Sequence, residues 1–157
     1  MKAKQKRKVV KAKKKTITIC SSASFYEKAL AVEDELKRMG FLVKVPLTAN
    51  KMRKSKNFSF EVVKPWLKDP KAYARKTFLT RHHFNKVVEG DSILVLNYEK
   101  NGVKGYIGGA VLAEMALALH FKKPIYVLNP LPEKVTYLEE LWGMQPIILN
   151  GDLSRIR

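Results

Sequence analysis

Short runs of β-branched and other apolar residues alternate along this chain with segments of helical periodicity. The pattern predicts a strand at residues 16–20, a helix at 25–39 and a second strand at 41–45, all within 30 residues. This order is typical of a βαβ unit, in which the two strands are parallel and the crossover between them is right-handed. The first third of the chain therefore favours an α/β fold built on a parallel sheet.

The same alternation continues towards the C-terminus. Further strands are predicted at 92–97, 124–128 and 146–149, and further helices at 80–90, 109–119 and 133–142. The first of these strands has four consecutive apolar residues at its centre, as expected for a strand that is covered on both faces. We therefore expect a single α/β domain, residues 16–157. Its sheet would be flavodoxin-like (Rossmann-like), doubly wound and five-stranded, with parallel strands in the order 2-1-3-4-5.

The composition is that of a globular protein with an excess of positive charge. Of the 157 residues, 46% are hydrophobic, but no run approaches the roughly 18 apolar residues that a membrane span requires. Cys20 is the only cysteine, which we expect to exclude both a disulfide framework and a cysteine-based zinc site. From these features we expect a cytoplasmic protein that has no signal segment and needs no metal or cofactor.

Much of the net charge of +17 is concentrated at the N-terminus. Residues 1–15 hold nine Lys/Arg and no acidic residue, whereas the remaining 142 residues hold 22 Lys/Arg and 14 Asp/Glu. A block of like charges repels itself and buries no apolar surface, so this segment predicts a disordered basic arm. The arm could bind nucleic acid non-specifically through its phosphates, or it could be a solvated tail. The +8 of the remaining chain is consistent with phosphate-bearing ligands.

Residues 47–80 interrupt the alternation of strands and helices. Basic and aromatic residues are interleaved here, namely Lys51, Arg53, Lys54, Lys56, Phe58, Phe60 and Trp66. Such interleaving is one pattern of surfaces that stack bases and bind phosphates. The interpretation that we favour is an irregular insertion whose aromatic side chains anchor it to the core. A lid over the glycine-rich loop at 101–109 would be consistent with both interpretations.

One acidic residue, Glu114, lies in an otherwise apolar helical segment at 109–119. Burying a carboxylate among alanine, valine and leucine costs several kcal/mol unless a partner compensates or the pKa of the group rises. The preceding loop, 101–109, contains four glycines and follows a predicted strand, which is where ligands bind in open α/β sheets. Glu114 is thus a candidate functional carboxylate, and the alternative is a structural hydrogen bond to a backbone amide.

Polar side chains and glycines also follow the two strands that flank this crevice in a doubly wound sheet. They are Ser21, Ser22 and Ser24 after the first strand, and Asn97, Gly108 and Gly109 after the third. Hydroxyl groups are adaptable donors, glycines allow close backbone approach, and free N–H groups at a helix N-terminus suit phosphate or sugar oxygens. We therefore predict that these residues bind substrate beside Glu114, although the loop matches neither a Walker A nor a G-x-G-x-x-G motif.

Two adjacent histidines, His82 and His83, precede the third strand on a predicted helix. Histidine titrates near neutral pH and could protonate a leaving group. Because adjacent residues point to different faces of a helix, we expect at most one of them in the site, and His83 is the candidate. A structural role is the alternative. His120, at the end of an apolar helix, is expected to interact with the helix dipole.

Three stretches together resemble the nucleoside 2-deoxyribosyltransferase superfamily, which includes the deoxynucleoside 5′-monophosphate N-glycosidases. They are E-G-D-S-I-L-V-L-N-Y, the spacing G-x-x-x-x-E that ends at Glu114, and A-L-H-F-K-K-P-I-Y-V-L. The resemblance covers about residues 16–152. It implies that Glu114 attacks C1′ of the sugar and releases the base, and that the serine loop holds the sugar or 5′-phosphate. It places His83 where the family has an acidic proton donor, and Thr18 where it has an aromatic residue.

The spacing from Gly108 to Glu114 is also similar to that of the cytokinin-activating phosphoribohydrolases, although Ile107 stands where that motif has a proline. Both families cleave an N-glycosidic bond of a nucleoside or nucleotide. We accordingly expect a nucleoside or nucleoside 5′-monophosphate N-glycosidase or deoxyribosyltransferase. The alternative is a non-catalytic nucleotide- or nucleic-acid-binding module, in which Glu114 holds a ribose hydroxyl and the basic arm contacts phosphates.

The resemblance further implies a homodimer, because relatives complete each site with residues of a second subunit. Large apolar residues cluster near the C-terminus, namely Tyr137, Leu138, Leu141, Trp142 and Met144. An exposed cluster of this kind marks an interface, although the same residues could cover the sheet edge within one monomer.

Overall fold

The computed structural model describes residues 12–59 and 64–157 and contains a single five-stranded sheet in that part of the chain. The strands are β1 (Thr16–Ser21), β2 (Leu42–Lys44), β3 (Ser92–Leu96), β4 (Ile125–Val127) and β5 (Ile147–Ile148). The helices are α1 (Tyr26–Arg38), α2 (Leu47–Ser55), α3 (Tyr73–Glu89), α4 (Gly109–His120) and α5 (Leu138–Gly143). None of the helices in these ranges is both long and apolar enough to cross a membrane.

All neighbouring strands are parallel, in the order β2-β1-β3-β4-β5, which confirms the predicted fold class and strand order. β1 and β3 lie side by side, and Ser21 at the end of β1 pairs with Leu96 at the end of β3. The chain leaves these two strands in opposite directions along the sheet. Their carboxyl ends therefore form the topological switch point, where a crevice opens in this class of fold.

Alternate residues of β3 pack on opposite faces of the sheet, as the two-residue period of a strand requires. Leu94 and Leu96 join one buried cluster with residues of α1, whereas Ile93 and Val95 join a second cluster with residues of α4. Both faces of β3 are thus buried, which explains its continuous apolar sequence. Cys20, at the end of β1, lies in the second cluster, on the same face as α4.

The prediction of an irregular insertion at 47–80 was wrong for two parts of that segment. Residues 47–55 form the helix α2, which buries Ala49 and Met52 and packs beside α1. Helix α3 begins at Tyr73, well before the predicted start at residue 80. Many positions in both stretches are lysine or arginine, so too few apolar residues recur at helical spacing to predict a helix from the sequence.

The aromatic residues of this segment differ in their packing. Trp66 is 7% exposed and anchors the segment to the core, as predicted, whereas Phe58 is 38% exposed. Phe60 lies outside the described residues, as do residues 1–11 of the predicted basic arm. Residues 12–15 are exposed and form neither a helix nor a strand.

The C-terminal helix is shorter than the predicted 133–142, since α5 begins only at Leu138. Leu141 is fully buried in the core, and the hydroxyl of Tyr137 donates a hydrogen bond to the carbonyl of Ile107. Trp142, in contrast, is 57% exposed. In the predicted apolar cluster, Leu141, Tyr137 and Met144 thus pack against the core of the domain, whereas the ring of Trp142 is exposed.

Candidate active site

A crevice of about 260 Å³ opens at the carboxyl ends of β1 and β3. It brings together six of the eight residues predicted from the sequence, namely Ser21, Ser22, His83, Gly108, Gly109 and Glu114. The serines follow β1, and the two glycines begin α4, with Gly108 as the residue that precedes its first turn. The backbone start of α4 therefore faces the same space as the Glu114 side chain.

The other two predicted residues have different surroundings. Ser24 is exposed and does not line the crevice; its backbone N–H donates to the hydroxyl of Ser22 at 3.4 Å. Asn97 is fully buried, and its amide nitrogen donates to the carbonyls of Asn129 and Pro130, each at 3.0 Å. Its amide oxygen accepts from the backbone N–H of Asn129 at 2.8 Å. The side chain of Asn97 thus holds the loop after β4 and does not face Glu114.

Three buried side chains from three elements meet at the base of the crevice. Nε2 of His83 on α3 lies 3.8 Å from Oε1 of Glu114 on α4, and 3.7 Å from Sγ of Cys20 on β1. His83 is 5% exposed and Glu114 is 9% exposed, while Cys20 is fully buried. Adjacent packing of α3 and α4 places the imidazole and the carboxyl against each other.

Burial shifts the pKa values of this pair in opposite directions. It raises the pKa of Glu114 from 4.5 to about 8, against the smaller effects of a hydrogen bond from the Cys20 thiol and the charge of Lys76. It lowers the pKa of His83 from 6.5 to about 4, and the positive charge of Lys86 adds to this effect. Between these two values the pair therefore holds one proton, which lies on the Glu114 carboxyl.

The thiol of Cys20 behaves as a partner of this pair and not as a nucleophile. Burial raises its pKa, and the neighbouring Glu114 raises it further. A thiol that stays protonated is a poor nucleophile but can donate a hydrogen bond to the Glu114 carboxyl. Sequence reasoning did not include Cys20 in the site, since the local pattern does not indicate which helix covers that end of β1.

Cys20, His83 and Glu114 each offer one potential metal-ligating atom, and these three atoms lie within 4.8 Å of one another. Sulfur, nitrogen and carboxylate oxygen form a donor set that suits Zn²⁺. The sequence argument against a cysteine-containing metal site thus overlooked a grouping that only the fold creates. The expectation that the protein needs no metal stays a prediction.

Three lysines line the crevice, and sequence reasoning did not identify any of them as part of the site: Lys64, Lys76 and Lys100. Burial lowers the pKa of Lys64, and the positive charges of Lys100 and Lys76 lower it further, so the ammonium group of Lys64 lies within electrostatic reach of both. Nζ of Lys100 donates to the hydroxyl of Ser22 at 3.1 Å. Glu114 is the only acidic side chain among the described lining residues, so the crevice suits an anionic ligand.

Two buried oxygen atoms at this site have no hydrogen-bond partner in the described part of the chain, Oγ of Ser21 and Oε2 of Glu114. Buried polar atoms are normally satisfied, so both are candidates for contact with a ligand. Tyr26 also lines the crevice, and burial together with Glu114 raises the pKa of its phenol. Thr18 does not line the crevice, because its hydroxyl donates to the carbonyl of Lys86 at 2.8 Å in the middle of β1.

A larger cavity of about 680 Å³ lies on the other side of Asn97, beside the loops after β3 and β4. Neither Glu114 nor His83 lines it. The carboxyl groups at the larger cavity, Glu99 and Glu133, are exposed, whereas the buried Glu114–His83 pair lies in the smaller crevice. The smaller crevice is therefore the candidate active site.

No protein-family model and no curated protein sequence matches this chain. Among solved structures, the fold is similar to that of a 2-deoxyribosyltransferase from the psychrotolerant bacterium Bacillus psychrosaccharolyticus, described as a biocatalyst for nucleoside synthesis. The identity is 18%, the match covers 78% of each chain, and the TM-score is 0.47. This is the family that the sequence pattern also resembles. At this identity and TM-score, the similarity assigns no activity, substrate or residue role.

Proposed function

We propose that this protein is a member of the nucleoside 2-deoxyribosyltransferase superfamily that cleaves or transfers the N-glycosidic bond of a nucleoside or nucleoside 5′-monophosphate. The observation that carries the proposal is the buried Glu114–His83 pair at the topological switch point, with 3.8 Å between Oε1 and Nε2. This reaction needs a nucleophile and a proton donor that act on the same substrate molecule. A carboxyl and an imidazole that share a single proton provide both.

The proposed steps follow from the position of that proton. Transfer of the proton from Glu114 to His83 produces a carboxylate and an imidazolium. The carboxylate attacks C1′ as the bond from C1′ to the base nitrogen breaks, and His83 gives its proton to the departing base. The carboxylate also stabilises the oxocarbenium-like transition state. Water or a second base then attacks C1′, which frees Glu114 and returns a proton to His83.

The lining of the crevice supports a phosphorylated substrate. Lys64, Lys76 and Lys100 supply positive charge, and the Ser21 hydroxyl is free of protein partners among the described residues. The start of α4 adds backbone N–H groups and the positive end of the helix dipole. Together these groups suit the 5′-phosphate and sugar oxygens of a nucleotide, with C1′ placed beside Glu114.

Base release from a panel of ribo- and deoxyribonucleosides and their 5′-monophosphates tests this proposal. We expect wild-type protein to release base from at least one deoxyribonucleotide, and Glu114→Ala to lose roughly 10³-fold or more in rate. Glu99→Ala, which removes an exposed carboxyl outside the crevice, is the matched control and should retain activity. Equal rates for wild type and Glu114→Ala would exclude Glu114 as the nucleophile.

A second candidate function is nucleotide binding without chemistry. The raised pKa of Glu114 favours it, because a neutral carboxyl can hydrogen-bond a sugar hydroxyl without attacking C1′. This candidate predicts nucleotide binding by calorimetry and no base release over several hours. Measurable base release that depends on Glu114 would eliminate it.

We also propose that the protein forms a homodimer through the exposed ring of Trp142 on α5. Trp142→Glu should convert the dimer into a folded monomer, which light scattering and circular dichroism would detect. A wild-type protein that is monomeric at its highest soluble concentration would contradict this proposal and any site shared between subunits.

A further inference from the structure

The excess positive charge of the domain is confined to one segment. Residues 47–81 hold ten Lys/Arg and two Asp/Glu, a net charge of +8. Residues 16–46 hold four of each sign, and residues 82–157 hold eight of each sign. The whole +8 of residues 16–157 therefore belongs to this one segment, and a small neutral ligand does not account for such a concentration.

The described parts of this segment form one side of the candidate active site. Leu47 and Thr48 at the start of α2 line the crevice, as do Trp66 and, from α3, Lys76 and Thr80. The helix α2 also packs against α3, so the two helices form a continuous wall. We call the surface made by α2, Trp66 and α3 the basic wall.

Cationic side chains continue outward from the crevice along α2. Lys51 and Lys54 follow Thr48 at intervals of three residues, so they lie near the same face of the helix, with about 4.5 Å of axial rise between them. Both side chains are exposed. Neither has a carboxylate within ion-pair distance in the described part of the chain, whereas the neighbouring Arg53 pairs with Glu33 at 2.5 Å.

An exposed aromatic ring extends the crevice face of α3. Tyr73 precedes Lys76 by one helical turn and Thr80 by two, so it lies on the face that lines the crevice. Its side chain is 48% exposed. Nζ of Lys76 lies 5.5 Å from the ring centre of Trp66, and both side chains line the crevice, so a cationic and an aromatic group lie together where the wall meets it.

We infer that the basic wall binds single-stranded nucleic acid, with the lysines of α2 on successive phosphates and Tyr73 stacked on a base. Stacking needs bases that are not already paired, and every base offers a face to an aromatic ring. The crevice of about 260 Å³ is too small to admit a duplex, so only an unpaired nucleotide could reach Glu114. A strand on the wall could therefore place one of its nucleotides beside Glu114. Binding at the wall does not require the proposed bond cleavage.

Fluorescence anisotropy of the full-length protein with a labelled single-stranded DNA of about 12 nucleotides, over a series of salt concentrations, tests this inference. The test variant is Lys51→Ala with Lys54→Ala, which keeps good helix formers in α2. The matched control is Lys104→Ala with Lys134→Ala, which removes the same charge from exposed positions at the larger cavity. At about 50 mM salt, each lost phosphate contact should weaken binding roughly eightfold. The salt slope, meaning the steepness of log K plotted against log salt concentration, should fall by about 0.7 per contact.

The expected result is weaker binding and a smaller salt slope for the α2 variant, with the control near wild type. Tyr73→Leu should weaken binding several-fold without a change in salt slope, since stacking releases no counterions. Equal effects of the two lysine pairs would overturn the inference and leave only a non-specific response to net charge. Equal or tighter binding of duplex DNA would overturn the single-strand assignment. Base release from free nucleotides, measured in parallel, reports on the proposed function separately.

Discussion

The opposite pKa shifts of Glu114 and His83 predict a specific dependence of stability on pH. Between pH 4.5 and about 8 the folded protein holds a proton on Glu114 that the unfolded chain has lost, so this group makes stability fall as pH rises. Between about pH 4 and 6.5 the unfolded chain holds a proton on His83 that the folded protein lacks, so this group makes stability rise. From pH 4.5 to 6.5 the two effects cancel.

Above pH 6.5 only the Glu114 contribution remains, and it persists up to about pH 8. At about 1.4 kcal/mol for each pH unit, wild-type protein should lose about 2 kcal/mol of unfolding free energy across this interval because of Glu114. The substitution Glu114→Gln keeps the shape of the side chain and removes the titration. This variant should therefore lose about 2 kcal/mol less than wild type over the same interval.

Urea unfolding at pH 6.5 and pH 8 measures this difference, with the fluorescence of the buried Trp66 as the signal. Other titrating groups contribute equally to both proteins, so the comparison isolates Glu114. Glu139→Gln, at an exposed position on α5, controls for the loss of one carboxyl group. If wild type and Glu114→Gln lose the same free energy between the two pH values, the carboxyl is not protonated in the folded state and the single-proton description of the pair is wrong.

Three further outcomes follow from the same geometry. Base release should have a bell-shaped pH profile with limbs near pH 4 and pH 8, because the Glu114–His83 pair needs one proton; a rate still rising at pH 9 would contradict this. Asn97→Ala should destabilise the protein by about 2–4 kcal/mol in urea unfolding, because the side chain makes three hydrogen bonds to the loop at Asn129, and a loss below about 1 kcal/mol would contradict that role. Added Zn²⁺ should inhibit base release while EDTA leaves the wild-type rate unchanged, and Cys20→Ser should weaken the inhibition by roughly tenfold or more; equal inhibition of both proteins would exclude Cys20 as a ligand.

Local sequence patterns were sufficient to predict the sheet, because strand periodicity and the rules of βαβ connection leave few alternatives. The four apolar residues at the centre of β3 indicated a strand buried on both faces, and parallel pairing then placed β1 and β3 together. Glu114 could be identified as a candidate site residue because a single carboxyl group in an apolar helical segment requires a compensating partner. His83 could be placed on the same side because α3 leads directly into β3.

The remaining parts of the site depend on contacts between elements far apart in the chain. Cys20 reaches the pair only because α3 and α4 cover one face of the sheet at the end of β1. Lys76 and Lys100 meet only when α3 and the loop after β3 enclose the same crevice. Local sequence periodicity does not indicate contacts between residues that are far apart in the chain. In α2 and α3, the many charged residues also left too few apolar residues to indicate a helix. The expected placement of the Asn97 side chain beside Glu114 was wrong for a related reason, since the loop after β4 occupies its amide group.

Detection of a covalent sugar–enzyme adduct during turnover tests the central claim most directly. Wild-type protein and a deoxyribonucleotide that it cleaves would be mixed, quenched in acid within one turnover, digested and analysed by mass spectrometry. The account predicts one added deoxyribosyl phosphate on the peptide that contains Glu114, and none in Glu114→Gln. An active protein whose adduct lies on another residue, or which releases base at every quench time without any adduct, would contradict it.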